Sequence, residues 1–232
     1  LIVPEVNSIE ISKHVKKNII ANPNCSTIQM LVALKPIHDR FQILDVNVST
    51  YQAVSGSGKK GVDELLSQSH SYMNQQKIKP SVYPKQIGFN VIPFVDSFCD
   101  NGYTKEEMKM VWETKKIFED DEIKVNPTCV RIPVFYGHSE AIHIETCSSI
   151  SIQEVVRLLS KSPGVQVIDE MVDGGYPTAV SDSAGKDGVF VGRIRKDPSL
   201  DTGLDLWVVS DNVRKGAALN SVQIAEVLTE HL

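Results

Sequence analysis

Residues 128–146 read Thr128-Cys129-Val130-Arg131-Ile132-Pro133-Val134-Phe135-Tyr136-Gly137-His138-Ser139-Glu140-Ala141-Ile142-His143-Ile144-Glu145-Thr146. Two β-rich runs, Thr128–Phe135 and Ala141–Thr146, flank the short connection Tyr136–Glu140. Further runs at Val165–Asp169, Val189–Arg195 and Leu204–Val209 read as strands, with a Gly/Pro/Ser/Asp loop over 173–188 between them. Upstream, Phe41–Val54 alternates over Ile43, Val46, Val48 and Tyr51. Strands this close together point to an antiparallel or mixed sheet rather than a doubly wound parallel one. Helices are expected at Ser26–His38, Val62–Asn74, Thr104–Glu119, Ser151–Ser160 and from Val213 to the end. Thr104 and Glu107 form a capping box. Residues 75–103 are proline-bearing, with one short strand at Asn90–Phe94. Leu1-Ile2-Val3-Pro4 and Asn18–Ala21 read as short buried strands. The first of these has neither a basic leader nor a small-residue cleavage site, so it reads as the continuation of a longer chain.

The chain has 232 residues, 41% hydrophobic and 23% charged, which suits a packed globular core. Its 24 basic and 29 acidic residues give a net charge of −5. The basic clusters are pairs (Lys16-Lys17, Lys59-Lys60, Lys115-Lys116), so nothing marks a nucleic-acid surface. No apolar run is long enough to span a membrane. The cysteines at 25, 99, 129 and 147 form no Cys-x-x-Cys pair, and they read as free thiols in a reducing, cytoplasmic compartment. No metal-ligand spacing, G-x-G-x-x-G or Walker A pattern is present.

Cys25 lies between a Pro-containing turn and a helix start. There the helix dipole and unpaired amides favour thiolate and offer oxyanion donors. The alternative is a small buried hydrophobe, which is the reading for Cys99, Cys129 and Cys147. His138, in a connection, can serve as acid or base. His14, His38, His70 and His231 read as solvated, and His143 can face either way. Glu113 and Lys116 share a helix face, as a surface ion pair or as ligands to a charged substrate. Arg131 stands in an apolar run and needs an anion, either an internal carboxylate or a bound one. Ser55-Gly56-Ser57-Gly58 lets backbone approach a cofactor or is a plain turn.

Several strings resemble aspartate-semialdehyde dehydrogenases: Asn22-Pro23-Asn24-Cys25-Ser26-Thr27, Ser49-Thr50-Tyr51-Gln52-Ala53-Val54-Ser55-Gly56, Glu113-Thr114-Lys115-Lys116, and Arg131 through Ser139. Ser210-Asp211-Asn212 and Ala217-Ala218-Leu219-Asn220-Ser221 extend the likeness to the tail. The resemblance implies an α/β (α+β) fold of the glyceraldehyde-phosphate-dehydrogenase-like catalytic type. Its sheet is mixed and largely antiparallel, with helices on one face and a remnant of a Rossmann domain. It divides the chain into that remnant (1–22), a catalytic and dimerisation domain (23–212) and a returning C-terminal helix (213–232).

The implied activity is NADP-dependent reductive dephosphorylation of aspartyl phosphate to aspartate semialdehyde, with phosphate released. It serves lysine, threonine, methionine and isoleucine biosynthesis. The roles implied are Cys25 as nucleophile, His138 as acid/base and Gln52 as substrate holder near Cys25. Arg131 is the carboxylate clamp, Glu113 the ammonium partner and Lys116 the phosphate cation. Ser55, Gly56 and Asn212 are the implied NADP contacts. A homodimer or homotetramer is expected, with no nucleic-acid or membrane partner. Because the family's Gly-rich cofactor loop is not in these residues, the chain alone is expected to be inactive. The competing readings are a non-catalytic dimerisation fragment and a reductase of N-acetyl-glutamyl phosphate. Glu113 speaks against the latter, because that substrate has no free ammonium. A glyceraldehyde-phosphate-type enzyme would need no clamp at Arg131.

Overall fold

The computed structural model describes residues 1–16 and 18–230. Lys17 of the first basic pair, and His231 with its expected solvated position, lie outside them. Helix α1 (Pro4–Asn7) follows buried Ile2 and Val3, and a 3-10 run, Ser8–Lys16, continues from it. Neither strand expected near this end forms. Pro4 sits in a first helical turn, where its missing N–H costs nothing. Ile19 is 71% exposed, so the Asn18–Ala21 segment packs against no sheet.

Helix α2 (Cys25–Phe41) starts where Asn24 accepts hydrogen bonds from the Ser26 and Thr27 amides at 3.0 and 3.2 Å. Its residues Ile28, Met30, Leu31, Val32, Ala33 and Leu34 are all buried, so it is enclosed on every side. Gln42, at φ 53°, ends it and leads into β1 (Ile43–Gln52). A 3-10 turn (Val54–Ser57) precedes α3 (Lys59–Met73). Helix α4 (Lys105–Phe118) carries the expected capping box, with Glu107 accepting the Thr104 amide at 2.7 Å. Next come β2 (Lys124–Arg131), β3 (His138–Thr146), α5 (Ile152–Leu159) and β4 (Val165–Val167). A π-turn (Ala179–Ser183) stands within the 173–188 loop, before β5 (Val189–Lys196) and β6 (Gly203–Ser210). A second π-turn (Arg214–Ala218) opens α6 (Leu219–Glu230).

The six strands form one sheet in the order β2-β1-β3-β6-β5-β4. Pairs β1–β3, β3–β6 and β5–β6 are antiparallel, and the outer pairs β1–β2 and β4–β5 are parallel. The mixed, largely antiparallel sheet is therefore as expected. The two runs in 128–146 do not pair with each other, because β1 lies between them. The strand expected at Asn90–Phe94 reduces to one bridge, Ile92 with Arg131.

Helices α2, α4 and α5 cover one face of the sheet and form the main core with it. The other face presents half-exposed Asn47, Ser49, Tyr51, His143 and Trp207. A smaller core of Val54, Leu65, Ile87 and Ile92 binds α3 to the proline-bearing segment. A third, of Ile2, Ile11 and Ile224, joins the first residues to α6. Beside it, buried Lys215 meets Glu5 at 2.5 Å and also donates to Asn220 and Gln223.

Candidate active site

The first turn of α2 meets the sheet where β1 and β2 end and β3 begins. Gln52 and Arg131 are partners in the parallel β1–β2 pair. His138 opens β3 rather than lying in the connection, and is one residue beyond the Tyr51–Ser139 rung. Period-two alternation turns all three side chains to the face that carries α2, and all three are buried.

Gln52 donates through Nε2 to Ser26 Oγ (3.0 Å), Glu106 Oε1 (3.2 Å) and Thr50 Oγ1 (3.3 Å). Three acceptors around one NH₂ fix the amide, with Oε1 turned the other way. Arg131 is 5% exposed and donates from Nη1 to the Ala53 carbonyl at 2.6 Å. Among the described residues no carboxylate lies within ion-pair reach of it. The internal salt bridge is therefore not the answer, and the guanidinium keeps a costly unpaired charge.

The Nδ1 of His138 accepts the Ala53 amide at 3.0 Å, which places the ring proton on Nε2. That Nε2 is buried and has no partner among the described residues. Burial first, and then the Arg131 charge, hold the imidazole well below its usual 6.5, so it is neutral.

Ser55, Gly56 and Asn212 gather beside these groups. A Cβ on Gly56 would stand 2.8 Å from Arg131 Nη1 and 3.6 Å from His138 Nε2, so a larger residue there would require the guanidinium to shift. Asn212 donates to Ser55 Oγ at 3.0 Å and accepts the Gly137 amide at 2.9 Å, tying the 3-10 turn to the start of β3.

Cys25 is the first residue of α2 and half-buried, with Gly216 over it: a Cβ there would be 2.8 Å from Cys25 Cβ. Its thiol is pushed up to about 12, by burial and then by the Glu106 charge, against the pull of Arg131 and the Ser26 amide. The thiol is thus pushed the opposite way from the pull expected of the helix dipole. The Ser26 amide is shared with Asn24 Oδ1, and desolvation outweighs the dipole.

Helix α4 supplies a stripe of charges, Glu106, Lys109, Glu113 and Lys116, on one face. Glu113 accepts the Asn24 amide at 2.8 Å and does not pair with Lys116 among the described residues. Burial raises the Glu113 carboxyl, while Lys116 is exposed.

Two carboxyls escaped the sequence reading. Glu106, 7% exposed, accepts Asn24 Nδ2 at 2.8 Å besides Gln52, and Lys109 lies at 3.5 Å. The helical spacing to Glu113 could have marked it. Glu140, two residues past His138 on the same face, is fully buried with neither oxygen hydrogen-bonded. Nothing local flags it in an alternating strand.

Two histidines expected to be solvated are half-buried: His38 stacks on Phe118 at 4.6 Å, and His14 bonds the Ile11 carbonyl at 2.7 Å. Cys129 is buried and its thiol raised, chiefly by burial, while Cys147 is exposed. Among the described residues, no helix is long and apolar enough to cross a membrane.

Residues 34–215 match the semialdehyde dehydrogenase dimerisation domain. The chain is 60% identical over 228 residues to aspartate-semialdehyde dehydrogenase of Shewanella violacea, covering 98% of this chain and 67% of that one. It is similar to the crystal structure of aspartate semialdehyde dehydrogenase II from Vibrio cholerae complexed with ASA: 55% identity, TM-score 0.96, 99% of this chain and 67% of the other. The Candida albicans aspartate semialdehyde dehydrogenase with NADP is 27% identical with TM-score 0.71, over 98% of this chain and 66% of that one. The chain thus spans about two thirds of these relatives' length.

Proposed function

Because the chain belongs to the aspartate-semialdehyde dehydrogenase family, we propose that it carries the reacting groups for the NADP-dependent reductive dephosphorylation of aspartyl phosphate to aspartate semialdehyde. The observation that carries this is Arg131, a buried guanidinium with no carboxylate, beside the free Nε2 of His138. A substrate α-carboxylate completes that site through paired hydrogen bonds. Glu113 takes the substrate ammonium, which favours this substrate over an N-acetylated one, and Lys116 takes the phosphate.

The Cys25 sulfur attacks the acyl carbon, the C–O bond to phosphate breaks, and a thioester remains on Cys25. His138 donates an Nε2–H hydrogen bond to the tetrahedral oxygen. The Nε2–H that does so is formed first: His138 releases the Ala53 amide, presents Nε2 as a lone pair and takes the thiol proton, which returns to sulfur when the C–S bond breaks and the aldehyde leaves. Gln52 holds the substrate against Cys25. The nicotinamide, when bound, supplies the hydride, and Ser55, Gly56 and Asn212 are the residues that would hold its reactive end. The shared core of Ile2, Ile11 and Ile224 supports grouping 1–22 and 213–232 in one cofactor-binding unit. The half-exposed sheet face supports a homodimer, and the chemistry suits cytoplasmic amino-acid biosynthesis.

The test is phosphate-dependent NADP reduction by aspartate semialdehyde, measured on the protein as its gene encodes it. Cys25→Ser should abolish turnover, and Arg131→Gln should raise KM roughly 10²-fold, as expected for one buried charge-assisted contact. Turnover by Cys25→Ser, or equal use of N-acetyl-glutamyl semialdehyde, would overturn the reading.

A further inference from the structure

Glu106 is used by none of the steps above, yet it is the group on which two parts of the site converge. Its Oε1 accepts from Asn24 Nδ2 at 2.8 Å and from Gln52 Nε2 at 3.2 Å. Asn24 caps α2 immediately before Cys25. Gln52 ends β1 and also donates to Ser26, immediately after Cys25. One carboxylate oxygen therefore staples strand to helix across the nucleophile. The other oxygen faces Lys109 Nζ at 3.5 Å.

We propose that Glu106 is a positioning residue for the Cys25 chemistry, acting through the Asn24 cap and the Gln52 amide. The proposal rests on the assignment of Cys25 as nucleophile. It has two separable parts. As an acceptor, Oε1 fixes the Gln52 amide, so that its Oε1 and not its NH₂ faces away from Ser26 and Thr50. As a charge, the carboxylate opposes thiolate formation at Cys25, in competition with Arg131.

Replacing Glu106 separates the two parts. Glu106→Gln keeps an Oε1 acceptor for Asn24 and Gln52 and removes the charge. Glu106→Ala removes both. The readouts are kcat and KM with aspartate semialdehyde, and the pH midpoint of Cys25 alkylation by iodoacetamide. The alkylation is followed on the Cys25 peptide by mass spectrometry, because other thiols also react.

The expected result is a 10–100-fold fall in kcat for Glu106→Ala with little change in KM, the range of lost orientation rather than lost binding. Glu106→Gln should recover most of that fall and should lower the alkylation midpoint by roughly one pH unit, as one neighbouring charge does. If Glu106→Ala does not fold, Glu106→Asp takes its place, since the shorter side chain falls short of Gln52. Equal kcat in the acceptor-keeping and acceptor-lacking variants, or an unmoved alkylation midpoint in Glu106→Gln, would overturn the proposal. Alkylation needs no substrate. A wild-type protein without the proposed activity would therefore refute the functional reading and leave this comparison intact.

Discussion

Replacing Glu140 by glutamine should stabilise the protein, and by an amount that grows with pH. The carboxyl sits on β3 between Thr50 of β1 and Val208 of β6, beneath the covering helices, with no exposure and no hydrogen bond to either oxygen. Burial holds its pKa well above the usual 4.5, and the nearby Gln29 amide, out of hydrogen-bonding geometry, does not offset it. The folded chain therefore keeps this proton while the unfolded chain releases it. Stability from the neutral acid is fully present below about pH 4.5 and declines as pH rises toward the folded-state value, the reverse of a salt-bridged carboxylate.

Each pH unit in that window is worth about 1.4 kcal/mol. Between pH 5.5 and 7.5 the gap between Glu140→Gln and wild type should widen for as long as the pH stays below the folded-state value. At ~2–4 °C per kcal/mol for a chain of this size, each such pH unit is roughly 3–6 °C in Tm. Urea unfolding followed by fluorescence of Trp112 and Trp207 at pH 5.5, 6.5 and 7.5 measures it. A gap that stays constant across the three pH values would refute the reasoning, because it would mean that Glu140 ionises alike in both states.

Gly56→Ala should displace the Arg131 guanidinium, which the new Cβ would approach to 2.8 Å. Steady-state kinetics should show a KM for aspartate semialdehyde raised about tenfold or more, at an overpacking cost of ~1–3 kcal/mol in stability. Lys215→Met removes the cation from a buried cluster and leaves Glu5, Asn220 and Gln223 without their donor. The expected loss is about 3–5 kcal/mol by urea unfolding, and the double variant with Glu5→Leu should regain part of it.

The sequence by itself determined most of the local structure. Helix and strand periods, the Thr104–Glu107 capping box and the Asn24-Cys25 turn are written in neighbouring residues, and from α2 onward most helices and strands start within a few positions of where those signals place them, the Asn90–Phe94 run excepted. The motif strings also named Cys25, Gln52, Arg131 and His138, and the fold brings these four segments to one edge of the sheet. The first residues were misread because an apolar run next to a proline has no period of its own, and its packing partner, α6, lies at the far end of the chain.

Only the tertiary structure decided that β1 separates the two strands of 128–146, since strand order depends on long-range pairing that no local pattern encodes. It also decided the chemical state of the site. A thiol at a helix start reads as thiolate when the dipole alone is considered. Burial of the sulfur under the Gly216 turn, with the Glu106 charge nearby, pushes the thiol up against that dipole. Glu106 and Glu140 carry the same lesson. Whether a carboxyl is paired, free or protonated is set by what surrounds it in three dimensions, because the cost of a charge depends on the water and partners removed from every side.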